Sequence, residues 1–165
     1  MPSSEDTASS EDTASSAPAS AEPPSSEALA MRHLRLGWWS MLAFVTLGIG
    51  LEALHALKSA AYLGVGNETR RFMWTLAHAH GVGLSLVQLG FGVTVRTLLP
   101  PLTPLLRRAG HLLTWGSLFV PLGFFLGGLT LHGGDPGIGV VLVPPGAVAI
   151  WLAVLHTAQT VHRLR

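Results

Sequence analysis

The sequence predicts an all-α integral membrane protein, an up-and-down four-helix bundle that follows a disordered N-terminal tail. Of its 165 residues, 48% are hydrophobic and only 12% are charged, whereas soluble proteins average about 25% charged residues. Four apolar stretches each reach the roughly 20 residues that a helix needs to cross a bilayer. Short polar connections join these stretches, so consecutive helices are expected to run in opposite directions.

Residues 1–30 form the predicted tail, and residues 31–165 form the four-helix domain. The tail is rich in Ser, Ala, Pro, Glu and Asp, and the hexad Ser-Ser-Glu-Asp-Thr-Ala occurs twice, at 3–8 and 9–14. Low hydrophobicity with clustered acids predicts a solvated, disordered segment. A signal peptide is not expected there, because the basic region and the apolar region of such a peptide are both missing.

The first two predicted spans cover about 36–61 and 72–99. Trp38 and Trp39 open the first span, as is typical of side chains at a membrane interface. The connection 64–71 is polar and contains turn residues. Prolines end the second span, since proline cannot continue a helix; they are Pro100, Pro101 and Pro104.

The third and fourth predicted spans cover about 110–132 and 138–162. Pro121 lies near the middle of the third span and predicts a kink there. The glycine-rich segment 133–137 predicts a tight turn between the two spans. Two prolines lie early in the fourth span, where the missing N–H groups cost a helix least.

Basic residues beside the helix ends predict the orientation of the chain in the membrane. With the N-terminus inside, seven of them lie on the inner side: Arg32, Arg35, Arg96, Arg107, Arg108, Arg163 and Arg165. Three lie on the outer side: Lys58, Arg70 and Arg71. This excess predicts that both termini are cytoplasmic. The preference for Arg over Lys and the Ala- and Gly-rich spans favour a bacterial inner membrane.

The partners that the sequence predicts are the lipid bilayer and other membrane helices. The chain has 19 glycines, many of them within the spans, and small residues let membrane helices approach closely. Gly123 and Gly127 have the spacing of such a contact. We interpret them as packing inside the bundle, with self-association or a membrane-protein partner as the alternative. Nucleic-acid binding is not expected, because the basic residues lie in connections and act as topology signals.

Apart from Lys58 and Arg96 near the span ends, four ionisable side chains lie inside the first two spans: Glu52, His55, His78 and His80. Such a group in the hydrocarbon region costs roughly 2.5 to 3.5 kcal/mol and therefore indicates a functional site. At about 1.5 Å per residue from the shared connection, His55 and His78 lie about 8 to 9 Å below the outer boundary. Glu52 and His80 lie about 12 Å below it. We therefore expect one layer, in which His78 and His80, about 200° apart on their helix, face different neighbours.

Two further residues are expected to join this outer set. His132, at the outer end of the third span, and Asp135, in the following turn, reach the same side of the membrane. His156 lies some 25 Å from the outer end and stays outside the set. His33 and His111 are expected to be ordinary residues of the inner interface.

Four hypotheses for the outer set remain open. A transition metal ion suits imidazole and carboxylate ligands, and its predicted ligands are Glu52, His55, His78, His80, His132 and Asp135. In the second hypothesis, histidines on facing helices hold haem b. Glycines that follow His80 in the second span would make room for the macrocycle. The predicted haem-binding residues are His55, His78 and His80. In the third hypothesis the residues form a buried polar network that only fixes the helices. The fourth is proton or ion movement through Glu52.

The sequence favours a non-enzymatic protein and assigns no catalytic residue. The chain contains no cysteine, which excludes disulfides, thiolate metal sites, iron–sulfur ligation and cysteine catalysis. Ser85 and Ser117 lie within spans, but neither belongs to a Gly-x-Ser-x-Gly motif. The sequence also lacks a phosphate-binding loop and a dinucleotide-binding motif.

Two stretches carry a resemblance to known proteins. Trp-Thr-Leu-Ala-His-Ala-His-Gly at 74–81 and His-Gly-Gly-Asp-Pro-Gly at 132–137 resemble a group of small uncharacterised bacterial four-span membrane proteins. This resemblance covers about residues 36–162 and implies the fold but no activity. The His-x-His-Gly helix is also similar to histidine-bearing helices of the haem-copper oxidase subunit I class. That similarity implies haem or copper at His78 or His80, but not oxidase activity, because the larger set of spans and histidines is missing.

Overall fold

A computed structural model describes residues 25–98 and 101–164. The fold is all-α, as predicted, and residues 1–24, with most of the predicted tail, lie outside the described ranges. In chain order the helices are α1 (Ser26–Ala56), α2 (Ala60–Leu63), α3 (Glu68–Leu98), α4 (Pro104–Leu129) and α5 (Val143–His162), with a 3₁₀ segment at Ile138–Leu142 before α5.

Four helical stretches are long and apolar enough to cross a membrane: Ser26–Ala56, Glu68–Leu98, Pro104–Leu129 and Ile138–His162. They coincide with the four predicted spans and confirm the four-helix architecture. Large apolar side chains face outward along them, such as Leu42 and Ile49, which are 57% and 67% exposed. Lipid rather than water suits an extended outer surface of this kind.

α1 and α4 begin earlier than the sequence predicts because a hydroxyl caps each of them. α1 begins at Ser26 rather than near residue 36, and the Ser25 hydroxyl accepts a hydrogen bond from the Ala28 N–H at 3.1 Å. α4 begins at Pro104 rather than residue 110, where Thr103 is the capping residue. Both extensions lie on the same side of the bundle.

The first helix ends earlier than predicted, at Ala56 rather than near residue 61. Lys58 adopts a left-handed backbone conformation with φ 49°. Its N–H donates to the His55 carbonyl at 3.0 Å, and the Ser59 N–H donates to the Leu54 carbonyl at 3.0 Å. These two bonds form a Schellman motif, which ends a helix. α3 also starts earlier than predicted, at Glu68 rather than residue 72. The turn between α1 and α3 therefore lies earlier in the chain than the sequence predicts.

The central helices of the bundle are α3 and α4. α1 packs along α3, and α5 packs along α4. Glycines lie in both interfaces, where Gly81 contacts the Phe44 ring and Gly116 contacts Ile150. Gly123, which the sequence assigns to packing inside the bundle, faces the 3₁₀ segment and the first residue of α5. The missing side chains let the helices approach closely, as is common in membranes.

Four exposed tryptophans lie at one level of the bundle. Three cross-helix contacts align neighbouring helices: Gly37 with Leu89, Gln88 with Leu113, and Gly116 with Ile150. The tryptophans follow or precede these contact residues by one or two positions: Trp38, Trp39, Trp115 and Trp151. Outward-facing tryptophans at a common level are typical of a membrane–water interface.

We call the part of the bundle beyond these tryptophans, toward the start of α1, the arginine end. Its described arginines are all exposed: Arg32, Arg35, Arg96, Arg107, Arg108 and Arg163. Glu27 is the only acid among the described residues of this end. We call the opposite end, which contains α2 and the turn before α5, the α2 end. The main apolar core lies near the arginine end and comprises Ala30, Phe91, Val95, Leu106, Ala109, Leu113 and Ala153.

Candidate functional site

The four ionisable residues of the first two spans do not form the predicted single layer. Along the α1–α3 interface, Phe44 contacts Gly81 and Gly48 contacts the His78 ring. Extending this register by helix turns puts Glu52 and His55 well beyond the level of His78, toward the α2 end. The prediction is wrong in register because α1 ends early and α3 begins early.

His78 is half-buried and faces α1. Its Nδ1–H donates to the Phe44 carbonyl at 2.8 Å, an oxygen that α1 itself supplies. Gly48 makes room for the ring, since a Cβ at that position would overlap it. His78 therefore fixes the packing of α1 on α3 at mid-depth.

His80 faces away from α1, as its angular separation from His78 predicts. Its ring lies 4.9 Å from the Phe124 ring of α4, and its Nδ1–H donates to the Leu76 carbonyl of its own helix at 2.9 Å. The side chain is exposed. The expectation that the two histidines serve different neighbours is therefore confirmed.

The remaining members of the predicted outer set are exposed: Glu52, His55, His132 and Asp135. His132 and Asp135 pair through their backbones, with N–H to carbonyl distances of 3.1 and 3.0 Å around a glycine turn. Within residues 25–98 and 101–164, no three His, Asp or Glu side chains converge on a position that could hold a metal ion. Metal or haem binding by these residues, and ion movement through Glu52, stay predictions.

Among the described residues, the most deeply buried ionisable side chain is His33, which the sequence placed among ordinary interfacial residues. It is 0% exposed. Its Nδ1–H donates to the Gln88 Oε1 atom, and its ring meets the Phe91 ring edge-on at 4.6 Å. Gln88 Nε2 donates onward to the Leu113 carbonyl at 3.3 Å and to the Ser117 hydroxyl at 3.2 Å. One buried pair thus connects α1, α3 and α4.

The second ring nitrogen of His33 has no hydrogen-bond partner among the described residues. It points at Gly110 of α4, where an added Cβ would lie 2.8 Å away. The glycine therefore lets α4 pack directly against the imidazole. His156, which the sequence also set apart, likewise has a buried Nδ1 without a partner in the described part of the chain.

Hydrogen bonds between α1, α3 and α4 form a series that we call the polar seam; its residues are His33, Ser40, His78, Ser85, Gln88 and Ser117. Besides the contacts above, the Ser85 hydroxyl donates to the Ser40 hydroxyl at 2.8 Å. The α3 members are spaced seven and three residues apart, so they share one face of that helix. The seam runs from mid-depth at His78 to the arginine end at His33.

A signal for the seam was present in the sequence. His33, Gly37 and Ser40 recur at four and three residues, which is the period of one helix face. The same face continues to Gly48, opposite His78. A polar residue on a face that also carries glycines is placed to meet a neighbouring helix rather than lipid.

At the α2 end, Arg70 joins three helices. Its Nε–H donates to the Gly128 carbonyl at 3.1 Å, its Nη1–H to the Ala61 carbonyl at 3.2 Å, and its guanidinium lies 5.8 Å from the centre of the Trp74 ring. The Trp74 indole N–H donates to the Phe125 carbonyl at 3.2 Å. The bond from Arg70 satisfies the Gly128 carbonyl, one of the last four of α4, which have no partner within their own helix.

A groove of about 670 Å³ separates α3 from α5 in the half of the bundle nearer the arginine end. Leu113 of α4 lies at its base, with Gly90 and Thr94 on one wall and Ala153 and Thr157 on the other. Each threonine hydroxyl donates to the carbonyl four residues earlier, at 2.8 and 2.7 Å. An added Cβ at Gly90 would meet nothing within 4 Å. The groove is therefore an open, mainly apolar surface on two helices.

The fold and site together define a cysteine-free membrane helix bundle whose buried polar groups lie between helices. No family model matches the chain, and no curated protein or solved structure matches it either.

Proposed function

We propose that this protein is a structural and interaction subunit of a membrane complex, in which the polar seam fixes the packing of α1, α3 and α4. The observation that carries this proposal is the His33–Gln88 pair, which is buried and bonded to α4 rather than open to a ligand. Interhelical hydrogen bonds of this kind stabilise membrane bundles by about 0.6 kcal/mol on average. Their main effect here is one defined arrangement of three helices.

The groove between α3 and α5 supports the interaction part of the proposal. Gly90 lines it without touching another helix, whereas Gly81 and Gly92 on the same helix are pressed against α1. A partner helix could approach the backbone of α3 at this uncovered glycine. Such a partner would lie beside Leu113 in the half of the membrane near the arginine end.

The proposed setting is a bacterial inner membrane with both termini in the cytoplasm. The exposed arginines support this orientation, because they gather at the end of the bundle where α1 begins and α5 ends. In this setting His33 and the groove belong to the cytoplasmic half of the bundle, and Arg70 to the outer end.

The interaction role can be tested by crosslinking, since a chain without cysteine accepts one label at one chosen position. Val154→Cys places a photo-crosslinker in the groove, and Ile49→Cys places it on the exposed face of α1 as a matched control. In native membranes we expect a discrete protein adduct from Val154→Cys and only lipid adducts from Ile49→Cys. The same pattern from both positions would contradict the interaction role.

Haem or metal binding at the histidines of α3 is the second candidate function. Nδ1 of His78 and of His80 donates to a backbone carbonyl, so Nε2 is the ring nitrogen of each that a metal ion would bind. Metal-binding histidines are oriented by such a bond in most known sites. The visible spectrum and metal content of the purified protein test this candidate, and colourless, metal-free protein after supplementation would count against it.

A combined variant separates the two candidates. Replacing His78 and His80 together by Gln removes both imidazole ligands. Under the structural proposal the Val154→Cys adduct survives this change, because the groove lies on another face of α3. Under the cofactor proposal the absorbance or bound metal is lost.

A further inference from the structure

Charge is distributed very unevenly over the described surface. The arginine end presents six exposed arginines and only one acid, Glu27. The α2 end instead has three acids and three bases, so its charges balance: Glu52, Glu68, Asp135, Lys58, Arg70 and Arg71. An excess of arginine just beyond a level of tryptophans is suited to an anionic surface.

Three of these arginines gather around one face of α1. Arg32, Arg35 and Trp39 follow each other at three and four residues, so they lie along one side of the helix. They line a hollow together with Met31. Arg96 of α3 reaches the same place, since its Nη1 lies 3.3 Å from the Met31 sulfur. The guanidinium group of Arg96 thus contacts a residue that lines the hollow.

The depth of the site matches the headgroup region of a leaflet. Trp39 belongs to the tryptophan level, which corresponds to the membrane interface. Arg35 lies four residues and Arg32 seven residues beyond it, which is about 6 and 10 Å along the helix axis. The headgroup layer on each side of a bilayer is of the same order of thickness.

We propose that Arg32, Arg35, Arg96 and Trp39 form a binding site for the headgroup of an anionic phospholipid. The guanidinium forks of Arg32 and Arg35 donate paired N–H groups to phosphate oxygens. Arg96 adds positive charge from the side of α3, and the Trp39 ring lies beneath the headgroup at the top of the acyl chains. Basic sites between membrane helices on the cytoplasmic side recognise anionic lipids in this manner. This inference rests on the cytoplasmic orientation proposed above and not on the interaction role.

The test uses the full-length protein in bilayer nanodiscs of phosphatidylcholine with one-fifth phosphatidylglycerol. After extraction into mild detergent, native mass spectrometry counts the lipids that stay bound. We expect phosphatidylglycerol to be enriched over its share in the bilayer. Arg32→Gln combined with Arg35→Gln should lower its retention at least tenfold, since both variants lose charge-assisted hydrogen bonds to the phosphate oxygens.

A charge-matched control separates a site from diffuse attraction. Arg107→Gln combined with Arg108→Gln removes the same charge from the start of α4, and we expect it to lower retention less than threefold. Equal losses in the two double variants would overturn the site. Circular dichroism and the elution volume of each variant verify that the bundle is folded.

Two further measurements sharpen the assignment. Arg35→Lys keeps the charge but loses the fork, so it should weaken retention by an intermediate amount. Inorganic phosphate at millimolar concentration should not displace the bound lipid. Displacement by phosphate would identify a free-anion site instead and overturn the lipid assignment, as would retention that is unchanged by either double variant.

Discussion

The two ends of α1, one at the arginine end of the bundle and one toward the α2 end, place a histidine in opposite environments. His33 and His55 belong to one helix, yet His33 is completely buried and bonded to Gln88, whereas His55 is exposed. A buried N–H group costs free energy unless it is hydrogen-bonded, and the Nδ1–H group of His33 has its acceptor in Gln88. The contrast teaches that the helix face on which a polar residue lies decides its role, whereas the apolar sequence around it does not.

Gln88→Leu is expected to cause the largest change, because it would remove the partner that makes burial of His33 tolerable. The His33 Nδ1–H would then have no acceptor, and we expect the free energy of unfolding to fall by about 2 to 3 kcal/mol. Titration of the folded protein with SDS in mixed micelles, followed by circular dichroism, measures this change. His80→Gln is the control on the same helix and should cost under about 0.5 kcal/mol. Equal costs would break the contrast between paired and exposed polar residues.

Gly110→Ala tests the contrast from the side of α4. An added Cβ would lie 2.8 Å from His33 Nε2, so the ring must shift. Overpacking costs about 1 to 3 kcal/mol, and alanine returns about 1 kcal/mol through helix propensity, so we expect a net loss of about 1 kcal/mol. Gly50→Ala, where a Cβ meets nothing within 4 Å, should be neutral or stabilising. A loss at Gly50 as large as that at Gly110 would show that the measured cost comes from the glycine backbone and not from His33.

The architecture could be predicted from the sequence because it follows from composition and length. Four apolar stretches with polar connections define four spans whatever their side chains contact. The register of the first hairpin could not be predicted, because a local event sets it: Lys58 adopts a left-handed conformation that glycine usually occupies, and α1 ends there. An error of one or two turns at that point moved Glu52 and His55 out of the layer of His78.

The candidate site was only partly predictable for a related reason. The opposite directions of His78 and His80 follow from helix geometry alone and are confirmed. The burial of His33 depends on where α1 begins. The Ser25 cap places that start at Ser26, whereas hydropathy suggests a start near residue 36. Its partner Gln88 lies 55 positions away in the chain. Only the packed structure brings the two together.

Ser85→Ala tests a weaker part of the polar seam. It removes the 2.8 Å hydrogen bond to Ser40, and interhelical bonds in membranes contribute about 0.6 kcal/mol on average. We expect a loss of that order in the same SDS titration. The double variant with Ser40→Ala should lose little more, because one shared bond is removed in both cases. Fully additive losses would show that the two serines act separately.

The smallest expected change in the free energy of unfolding is at Glu52 and His55. It tests most directly whether polar residues of α1 near the α2 end are exposed, in contrast to His33 at the arginine end. Both side chains are exposed near the end of α1, so Glu52→Gln and His55→Gln should each change the free energy of unfolding by under about 0.5 kcal/mol. If these residues instead formed one buried layer with His78, breaking it would leave an unpaired polar group and cost about 1 to 3 kcal/mol. A double-mutant cycle between His55→Gln and His78→Gln decides the matter, since residues that do not touch give additive losses. A coupling energy above about 0.5 kcal/mol would place the two histidines in contact and restore the layer that the sequence predicts.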